Sequence, residues 1–284
     1  MLHEVLPGGG DPGRILLSLE DVHLAFAGVK AIDGVSLTVA TGQLLAIIGP
    51  NGAGKTSIFN CISSVYRPQQ GRIEFEGRSL IGMKPNRVAD LGIARTFQNI
   101  ELFPQMTVLD NLMLGRHQHL DYGTPSAMLR FGRASREEAR NREVVEGIVE
   151  FLEIAQFRKS YVAMLPYGVQ KRVELGRALA MEPKLLLLDE PVAGMNLEET
   201  EDMARFITDI KRELGIGMIL VEHDMRMVMD LADVVLAIDF GRPIAIGSPA
   251  EIQQHPDVVR AYLGEDHAVA YGTDLIAADP GGGE

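Results

Sequence analysis

Residues Gly49 to Ser57 have the sequence GPNGAGKTS, and this stretch decides the fold. It matches the pattern G-x-x-x-x-G-K-[ST], whose fixed positions are filled by Gly49, Gly54, Lys55 and Thr56. The apolar run 44–48 before it predicts a buried strand, and residues 57–62 after it predict a helix. A strand, a glycine-rich loop and a helix in this order predict a phosphate-binding loop. The alternative, a glycine-rich turn with a solvated lysine, would require neither flanking element.

The residue types of this loop suit a nucleoside triphosphate with Mg²⁺. Glycine tolerates backbone conformations that other residues avoid, so successive N–H groups can point toward one place at the positive start of a helix. Lys55 can reach the outer phosphates, and the Thr56 hydroxyl can bind Mg²⁺. The residues that we expect to hold the nucleotide here are Gly49, Pro50, Asn51, Gly52, Ala53, Gly54, Lys55, Thr56 and Ser57.

The composition is that of a globular protein with an acidic surface. The 284 residues are 46% hydrophobic and 23% charged, enough to bury a large core as one domain with lobes or as two domains. The net charge of −12 argues against nucleic acid as the main partner, because that binding depends on neutralising phosphates. The single cysteine, Cys61, cannot form an internal disulfide, which predicts a reducing compartment and a buried apolar role.

Nothing in the sequence predicts a direct membrane anchor. No run approaches 18 apolar residues, and the N-terminal MLHEVLPGGGDPG lacks the cationic start and apolar run of a secretory signal. Residues 1–14 are predicted to be a disordered arm, and residues 265–284 an acidic disordered tail. Any link to a membrane is therefore expected to go through a protein partner.

The hydrophobic periodicity predicts two sheets and an α/β fold class. Alternating apolar residues, with a slip of phase near Asp21, predict a small antiparallel sheet over 17–26, 35–39 and 71–77. Alternating apolar strands and helices from 184 to 238 predict a parallel sheet covered on both faces.

Between the two sheet-forming parts, residues 106–177 predict an inserted helical lobe. Thr107 is a favourable N-cap for its first helix. Ser135 and Glu138 have the spacing of a capping box, which predicts the start of a long amphipathic helix.

Asp189 and Glu190 end the apolar run 184–188, downstream of the phosphate loop. Ligands of parallel α/β sheets bind at the carboxyl ends of the strands, so both acids are expected beside the loop. Asp189 would then hold Mg²⁺, directly or through water, and Glu190 would orient and deprotonate the attacking water. The alternative is an acidic pair that ends a strand at the surface.

Two more polar residues are candidates for the same site. His223 follows the predicted strand 218–221, where it could contact the γ-phosphate or align the water, or simply be satisfied by backbone. Gln98 is predicted to lie on a short strand that leads into the helical lobe, where its amide oxygen could join the Mg²⁺ shell.

The order of five segments resembles the ATPase subunit of ABC transporters from about Leu17 to Gly264. These segments are GPNGAGKTS, RTFQNIELFPQMTVLDNL, LPYGVQKRVELGRALA, LLLLDEPVAGMN and LVEHDM. The closing HPDVVRAYLGED and the extended lobe are similar to the larger ATPase subunit of the high-affinity branched-chain amino acid importers. The resemblance implies a P-loop NTPase fold with a RecA-like parallel core, an antiparallel β subdomain and a helical subdomain in a cassette spanning 15–264.

The resemblance also implies roles for single residues. Residues 49–57 are then the Walker A loop, Gln98 the Q-loop glutamine, Asp189 the Walker B carboxylate, Glu190 the catalytic glutamate and His223 the switch histidine. Phe26 corresponds to the aromatic residue that stacks on adenine, with an inward-facing strand aromatic as the alternative.

The signature motif of the family, LSGGQ, is replaced here by residues 165–170, LPYGVQ. Pro166, Tyr167 and Gly168 would contact the partner's nucleotide, but Pro166 cannot supply the hydroxyl of the family's serine. It does suit the first turn of a helix. Asn196 likewise stands where the family has an aspartate in the D-loop, 193–196. Both changes concern the contact between subunits rather than the Walker loop.

The resemblance implies ATP and Mg²⁺ as ligands and a dimer with a second ATPase subunit, identical or related. The other implied partners are permease subunits, which the apolar segment 99–112 would contact, and indirectly a solute-binding protein. The expected location is cytoplasmic, at the inner face of the plasma membrane. Alternative functions are lipopolysaccharide extraction, urea or amide import, and a soluble ABC ATPase outside transport.

Overall fold

The computed structural model describes residues 6, 8, 10, 11, 13–119 and 133–263. The predicted acidic tail lies outside the described residues, as do most positions of the predicted arm. Within that arm, Leu6 is buried in a hydrophobic core, and the N–H of Thr41 donates to the carbonyl of Arg14 at 2.8 Å. The chain is thus already in contact with the domain before its first strand.

The first sheet has four antiparallel strands in the order β2-β1-β4-β5. Their ranges are β1 Ile15–Phe26, β2 Val29–Ala40, β4 Gln70–Phe75 and β5 Arg78–Ser79. The register of β1 shifts between Leu19 and Val22, and Asp21 between them has φ 47°. The predicted slip of phase is thus a β-bulge, which returns the apolar residues to the inner face.

The second sheet has six strands in the order β10-β9-β3-β8-β7-β6. Their ranges are β3 Leu44–Ile48, β6 Ile93–Arg95, β7 Leu185–Asp189, β8 Gly217–Val221, β9 Val234–Asp239 and β10 Arg242–Gly247. All neighbours pair in parallel except β10, which the sequence analysis did not predict. Strands β3, β7 and β8 are buried at every residue because both faces of the sheet are covered.

The helices cover both faces of this sheet. They are α1 Lys55–Ile62, α2 Pro85–Asp90, α3 Val108–Gly115, α4 Arg133–Phe151, α5 Tyr167–Leu179, α6 Leu197–Leu214, α7 Met225–Leu231, α8 Pro249–Gln254 and α9 Pro256–Leu263. Alternate residues of β3 enter two hydrophobic cores. Leu44 and Ile48 pack in the core shared with the helical lobe, and Leu45 and Ile47 pack in the core shared with α1 and the antiparallel sheet. No helix of the described ranges combines the length and apolarity that a bilayer crossing requires.

The helical lobe agrees with the prediction in its first cap and differs at two boundaries. Thr107 accepts from the N–H of Asp110 and forms a complete capping box. Helix α4 begins at Arg133, so Ser135 lies within its first turn and is not the N-cap that the sequence predicted. Gln98 does not lie on a strand either, because β6 ends at Arg95 and the chain then turns away from the sheet toward the lobe.

Candidate active site

The parallel sheet brings the predicted site residues to one edge. Strands β3, β8, β7 and β6 are consecutive neighbours and run parallel, so their carboxyl ends lie side by side. The phosphate loop follows β3, and Glu222 and His223 follow β8. Asp189 ends β7, Glu190 comes next, and Gln98 lies in the segment after β6. Four separate parts of the sequence therefore meet at this edge.

The phosphate loop is fixed by close backbone packing. Gly54 has φ 105°, and a Cβ at this position would collide with the backbone oxygen of Ala31. The N–H of Gly241 donates to the carbonyl of Ala53 at 2.9 Å and ties the loop to the turn between β9 and β10. Helix α1 then begins without a side-chain cap, which suits an anion at its N-terminus.

Lys55 is buried within the loop, whereas the next residue, Thr56, is exposed. The Lys55 Nζ donates to the carbonyl of Gly49 at 2.6 Å and to that of Pro50 at 3.0 Å. Burial lowers the pKa of Lys55, while the carboxylates of Glu190 and Asp189 raise it to a smaller extent. The charges of both acids therefore favour the charged form of Lys55.

Asp189 and Glu190 have different surroundings. Asp189 is only 4% exposed, and its Oδ2 accepts from Arg95 Nη2 at 2.7 Å. Glu190 has φ 46°, in the left-handed region that residues other than glycine rarely adopt. Its Oε2 accepts from Gln98 Nε2 at 2.9 Å. Gln98 is thus hydrogen-bonded to Glu190. A positive φ at a residue other than glycine, as at Glu190, is a form of backbone strain that clusters at functional sites.

Glu222 is a buried carboxylate that the sequence analysis did not single out. Its Oε2 accepts from the N–H of His223 at 3.0 Å, and its Oε1 accepts from the N–H of Val192 at 3.3 Å. Burial raises the pKa of Glu222, and these hydrogen bonds lower it less. Glu222 therefore joins the D-loop side of the site to the segment that carries His223, whose side chain is exposed. A charged residue directly after the apolar strand β8 was the signal for it.

Two further residues that the sequence analysis did not single out, Lys171 and Glu174, lie on α5, and both side chains are 2% exposed. Lys171 Nζ donates to the carbonyls of Phe97 and Gln98 at 3.0 and 2.8 Å. Glu174 Oε1 accepts from the N–H of Phe97 at 3.3 Å and from that of Glu101 at 3.4 Å. The pair thus binds the backbone of residues 97–101 to α5. Two opposite charges spaced three residues apart on a helix were the available signal.

Arg95, the fourth such residue, lies between the acids and the helix after the phosphate loop. Besides its bond to Asp189, its Nη1 donates to Asn60 Oδ1 at 2.7 Å. Its guanidinium carbon lies 5.3 Å from the ring centre of Phe59 and 5.0 Å from that of Phe97. A strand-terminal arginine gave no clear signal in the sequence, because its partners come from distant segments.

The remaining predicted residues lie away from this cluster. Pro166 is the N-cap of α5, and Tyr167 and Gly168 are its first residues. The Tyr167 ring lies beside Gly194, and a Cβ on Gly168 would meet the side chain of Glu199. Their contacts among the described residues are thus with the D-loop and the start of α6.

Phe26 ends β1 in the antiparallel sheet. It is 46% exposed and packs edge-on against Tyr66 with ring centres 5.0 Å apart, so it is not an inward-facing core residue.

These features define a nucleotide-binding cassette of the phosphate-loop class. The family model described as ABC transporter matches residues 32–193, and the one described as branched-chain amino acid ATP-binding cassette transporter matches residues 242–268. The chain belongs to the ABC transporter family as one of its ATP-binding cassettes, and it is an ATPase coupled to transport. The predicted fold and ATP binding are confirmed in this way.

Similar proteins cover most of the chain. The high-affinity branched-chain amino acid transport ATP-binding protein BraF of Pseudomonas aeruginosa is 37% identical over 252 residues, which are 89% of this chain and 99% of BraF. LivG of Escherichia coli, with the same description, is 36% identical over 88% of this chain and 98% of its own. A solved nucleotide-free ATP-binding cassette from an ABC transporter superposes with a TM-score of 0.76 at 31% identity, over 88% of this chain and all of that one.

Proposed function

We propose that this chain energises the uptake of branched-chain or related amino acids through a membrane permease. The observation that carries the proposal is the meeting of Lys55, Asp189, Glu190, Gln98 and His223 at one sheet edge. The match of residues 242–268 to the branched-chain amino acid family supports this class of solute.

The site has the oxygen donors that Mg²⁺ prefers. Thr56 offers an exposed hydroxyl, Asp189 has a second carboxylate oxygen besides the one bound to Arg95, and Gln98 keeps its amide oxygen while its Nε2 binds Glu190. These three residues would hold the ion together with the nucleotide phosphates. When bound, Mg²⁺ neutralises charge that develops on the transferred phosphoryl group.

Hydrolysis is assigned to the residues around Glu190. Its carboxylate takes the proton of the water that attacks the γ-phosphorus in line, while the bond from this phosphorus to the β,γ-bridging oxygen breaks and ADP leaves. The hydrogen bond from Gln98 orients the carboxylate. Lys55 exchanges its bonds to the loop carbonyls for bonds to the outer phosphates. His223, held at its backbone by Glu222, contacts the γ-phosphate from the neighbouring strand.

A second ATPase subunit, identical or related, would complete each site. Phe26, exposed at the end of β1, would stack on the adenine of the nucleotide bound by its own chain. Pro166, Tyr167 and Gly168 would face the partner's nucleotide from the N-terminus of α5. Because Pro166 offers no hydroxyl, the site that receives it should turn over more slowly than one that receives an intact signature.

A groove of about 410 Å³ beside the Q-loop would receive a short cytoplasmic helix of the permease. Apolar side chains of α2, α3 and α5 line it together with Arg95, Phe97 and Arg177. The predicted permease-binding segment 99–112 is exposed only in part. Phe103 is 54% exposed, whereas Val108 is buried in the core. An exposed apolar surface next to the Q-loop fits a coupling role. The chain would therefore sit on the cytoplasmic face of the membrane, and the solute-binding protein would act through the permease.

Another transport process remains the second candidate. LptB of Haemophilus influenzae, a lipopolysaccharide export system ATP-binding protein, is 32% identical over 88% of this chain. The C-terminal match favours amino acid import over lipopolysaccharide export.

The proposal is tested on the chain purified from its native membrane with its permeases and returned to lipid nanodiscs. We expect Mg²⁺-dependent ATP hydrolysis that rises when a binding protein loaded with leucine, isoleucine or valine is added. The same binding protein without amino acid is the control. Stimulation by lipopolysaccharide instead would favour the second candidate, and a complex without affinity for Mg²⁺-ATP would overturn both.

A further inference from the structure

Arg95 lines the groove beside the Q-loop and also contacts Asp189, one of the two acids at the sheet edge. Its side chain is 10% exposed and lines the groove, and its Nη2 reaches Asp189 Oδ2 at 2.7 Å. The Arg95 side chain therefore connects the groove directly to the carboxylate of Asp189.

The guanidinium is held so that it fixes the Asp189 carboxylate in one orientation. Its two terminal nitrogens bind different partners, Asp189 and Asn60, and its central carbon lies over the rings of Phe59 and Phe97. A planar fork with both prongs bound has little freedom to rotate, so it restrains the carboxylate more tightly than a lysine could. Asn60 lies on α1, which also carries Lys55 and Thr56, so the same contact aligns Asp189 with the phosphate loop.

The Arg95 guanidinium also has an open donor. Within the described part of the chain, its buried Nε has no hydrogen-bond partner. A buried donor that is left unpaired is costly, so a shift of the guanidinium that brings this Nε to an acceptor in the groove would be favoured. Such an acceptor would pull on the same rigid group that holds Asp189.

We propose that Arg95 is a positioning residue that holds Asp189 for the divalent cation and makes this carboxylate sensitive to what occupies the groove. The second half rests on the proposed function, since it takes a permease helix as the occupant. The first half requires only that the chain binds a nucleotide with Mg²⁺. Residues that orient a metal-binding carboxylate typically contribute about 10- to 100-fold to metal affinity.

The experiment compares nucleotide binding with and without Mg²⁺ in the full-length chain, using a fluorescent ATP analogue. We expect Arg95→Met to weaken binding by about tenfold or more in excess Mg²⁺ and to leave binding in EDTA within about twofold of wild type. The affinity of Arg95→Lys in excess Mg²⁺ should fall between those of wild type and Arg95→Met, because an ammonium keeps the charge but loses the forked pair of donors. Arg87→Met is the matched control: Arg87 lies on α2, is 73% exposed and pairs with Asp90.

The outcomes separate this proposal from the proposed function. If wild type shows no affinity for the Mg²⁺-nucleotide, the proposed function fails. If wild type binds and Arg95→Met lowers affinity equally with and without Mg²⁺, Arg95 is merely structural and the inference is overturned. If the melting curve shows that Arg95→Met does not fold, Arg95→Lys provides the test. A ratio of affinities in Mg²⁺ and in EDTA equal to that of wild type would then overturn the inference.

The link to the groove is tested in the nanodisc complex by the Mg²⁺ concentration that gives half-maximal nucleotide binding. We expect the permease to shift this concentration severalfold in wild type and in Arg87→Met. In Arg95→Lys the shift should be lost. A shift of wild-type size in Arg95→Lys would contradict the second half of the proposal.

Discussion

The start of α1 and the start of α5 are two helix N-termini of opposite character. Neither has a side-chain cap. The residue before α1, Gly54, lies in the left-handed region against the backbone of Ala31, whereas the N-cap of α5, Pro166, is extended and exposed. The first terminus is packed against backbone, and the second against the side chain of Glu199. The phosphate loop is thus enclosed by its own chain, whereas the exposed start of α5 leaves room for the proposed contact between chains.

The strongest change on the phosphate-loop side is Glu190→Gln. Because glutamine cannot accept the proton of the attacking water, we expect turnover to fall by about 10² to 10⁴ while ATP binding survives. Steady-state hydrolysis and nucleotide binding of the purified complex measure the two effects. Glu150→Gln, an exposed change of the same kind on α4, is the control. Near-normal turnover in the Glu190 variant would remove this residue from its proposed role.

The two termini can be compared directly if the partner is a related chain with an intact signature motif. Lys55→Met would then inactivate the site that receives that signature, and the corresponding lysine change in the partner would inactivate the site that receives residues 165–170. We expect the first change to reduce turnover by about tenfold and the second by about twofold, because Pro166 provides no hydroxyl to the γ-phosphate.

ATP hydrolysis by the two single-variant complexes, purified in parallel, gives the measurement. Pro166→Ser, introduced into the complex that carries Lys55→Met, restores the missing hydroxyl to the partner's site. It should raise the residual rate of ATP hydrolysis. Equal losses from the two lysine changes would show that the two sites are equivalent. The replacement of the signature serine by Pro166 would then have no effect on turnover.

The same substitution placed in both termini sharpens the comparison further. Gly54→Ala puts a Cβ against backbone in a conformation that costs about 1–2 kcal/mol for alanine, so we expect nucleotide affinity to fall by about tenfold or more. Gly168→Ala meets the side chain of Glu199 rather than backbone, and this side chain can turn aside if it gives up the hydrogen bond that it accepts from the N–H of Asn196. Its affinity should stay within about twofold, as measured by fluorescent nucleotide binding. Equal effects of the two changes would mean that the signature terminus is as rigid as the loop.

The sequence predicted the phosphate-loop side in detail because its determinants are local. The glycines, Lys55 and the apolar strands before the loop and before Asp189 each act within a few neighbouring residues, and the structure has these strands where the patterns predicted them. The helical lobe was predicted less well: Ser135 was wrong as an N-cap, and Gln98 was wrong as a strand residue. Propensity sets a helix end only to within a turn, and tertiary contacts decide the rest.

The positioning residues escaped prediction because their partners are distant in sequence. Arg95 binds Asp189, 94 positions away, and Lys171 binds the carbonyl of Phe97, 74 positions away. No periodicity or motif carries such pairings, since they arise only when the strand order is known. The strand β10 was missed for a related reason: it pairs antiparallel at the edge of a sheet that was predicted from its parallel units.

A change at Glu222 gives the smallest expected effect. It tests the contact between the segment of Val192 and the segment of His223, because Glu222 accepts from the N–H groups of both residues.

The folded-state pKa of Glu222 is raised by burial above the unfolded value. The folded state therefore holds the proton more tightly, so this group favours folding fully at pH below the unfolded pKa. That stabilisation is lost as the pH rises through the folded pKa. Glu222→Gln removes the titration, so the melting temperature of wild type relative to the variant should decline as the pH rises above the ordinary carboxyl pKa of 4.5. Parallel thermal melts over this pH range provide the measurement, with Glu150→Gln as the control; a constant difference would show that Glu222 keeps its charge throughout and that the hydrogen bonds, not burial, dominate its pKa.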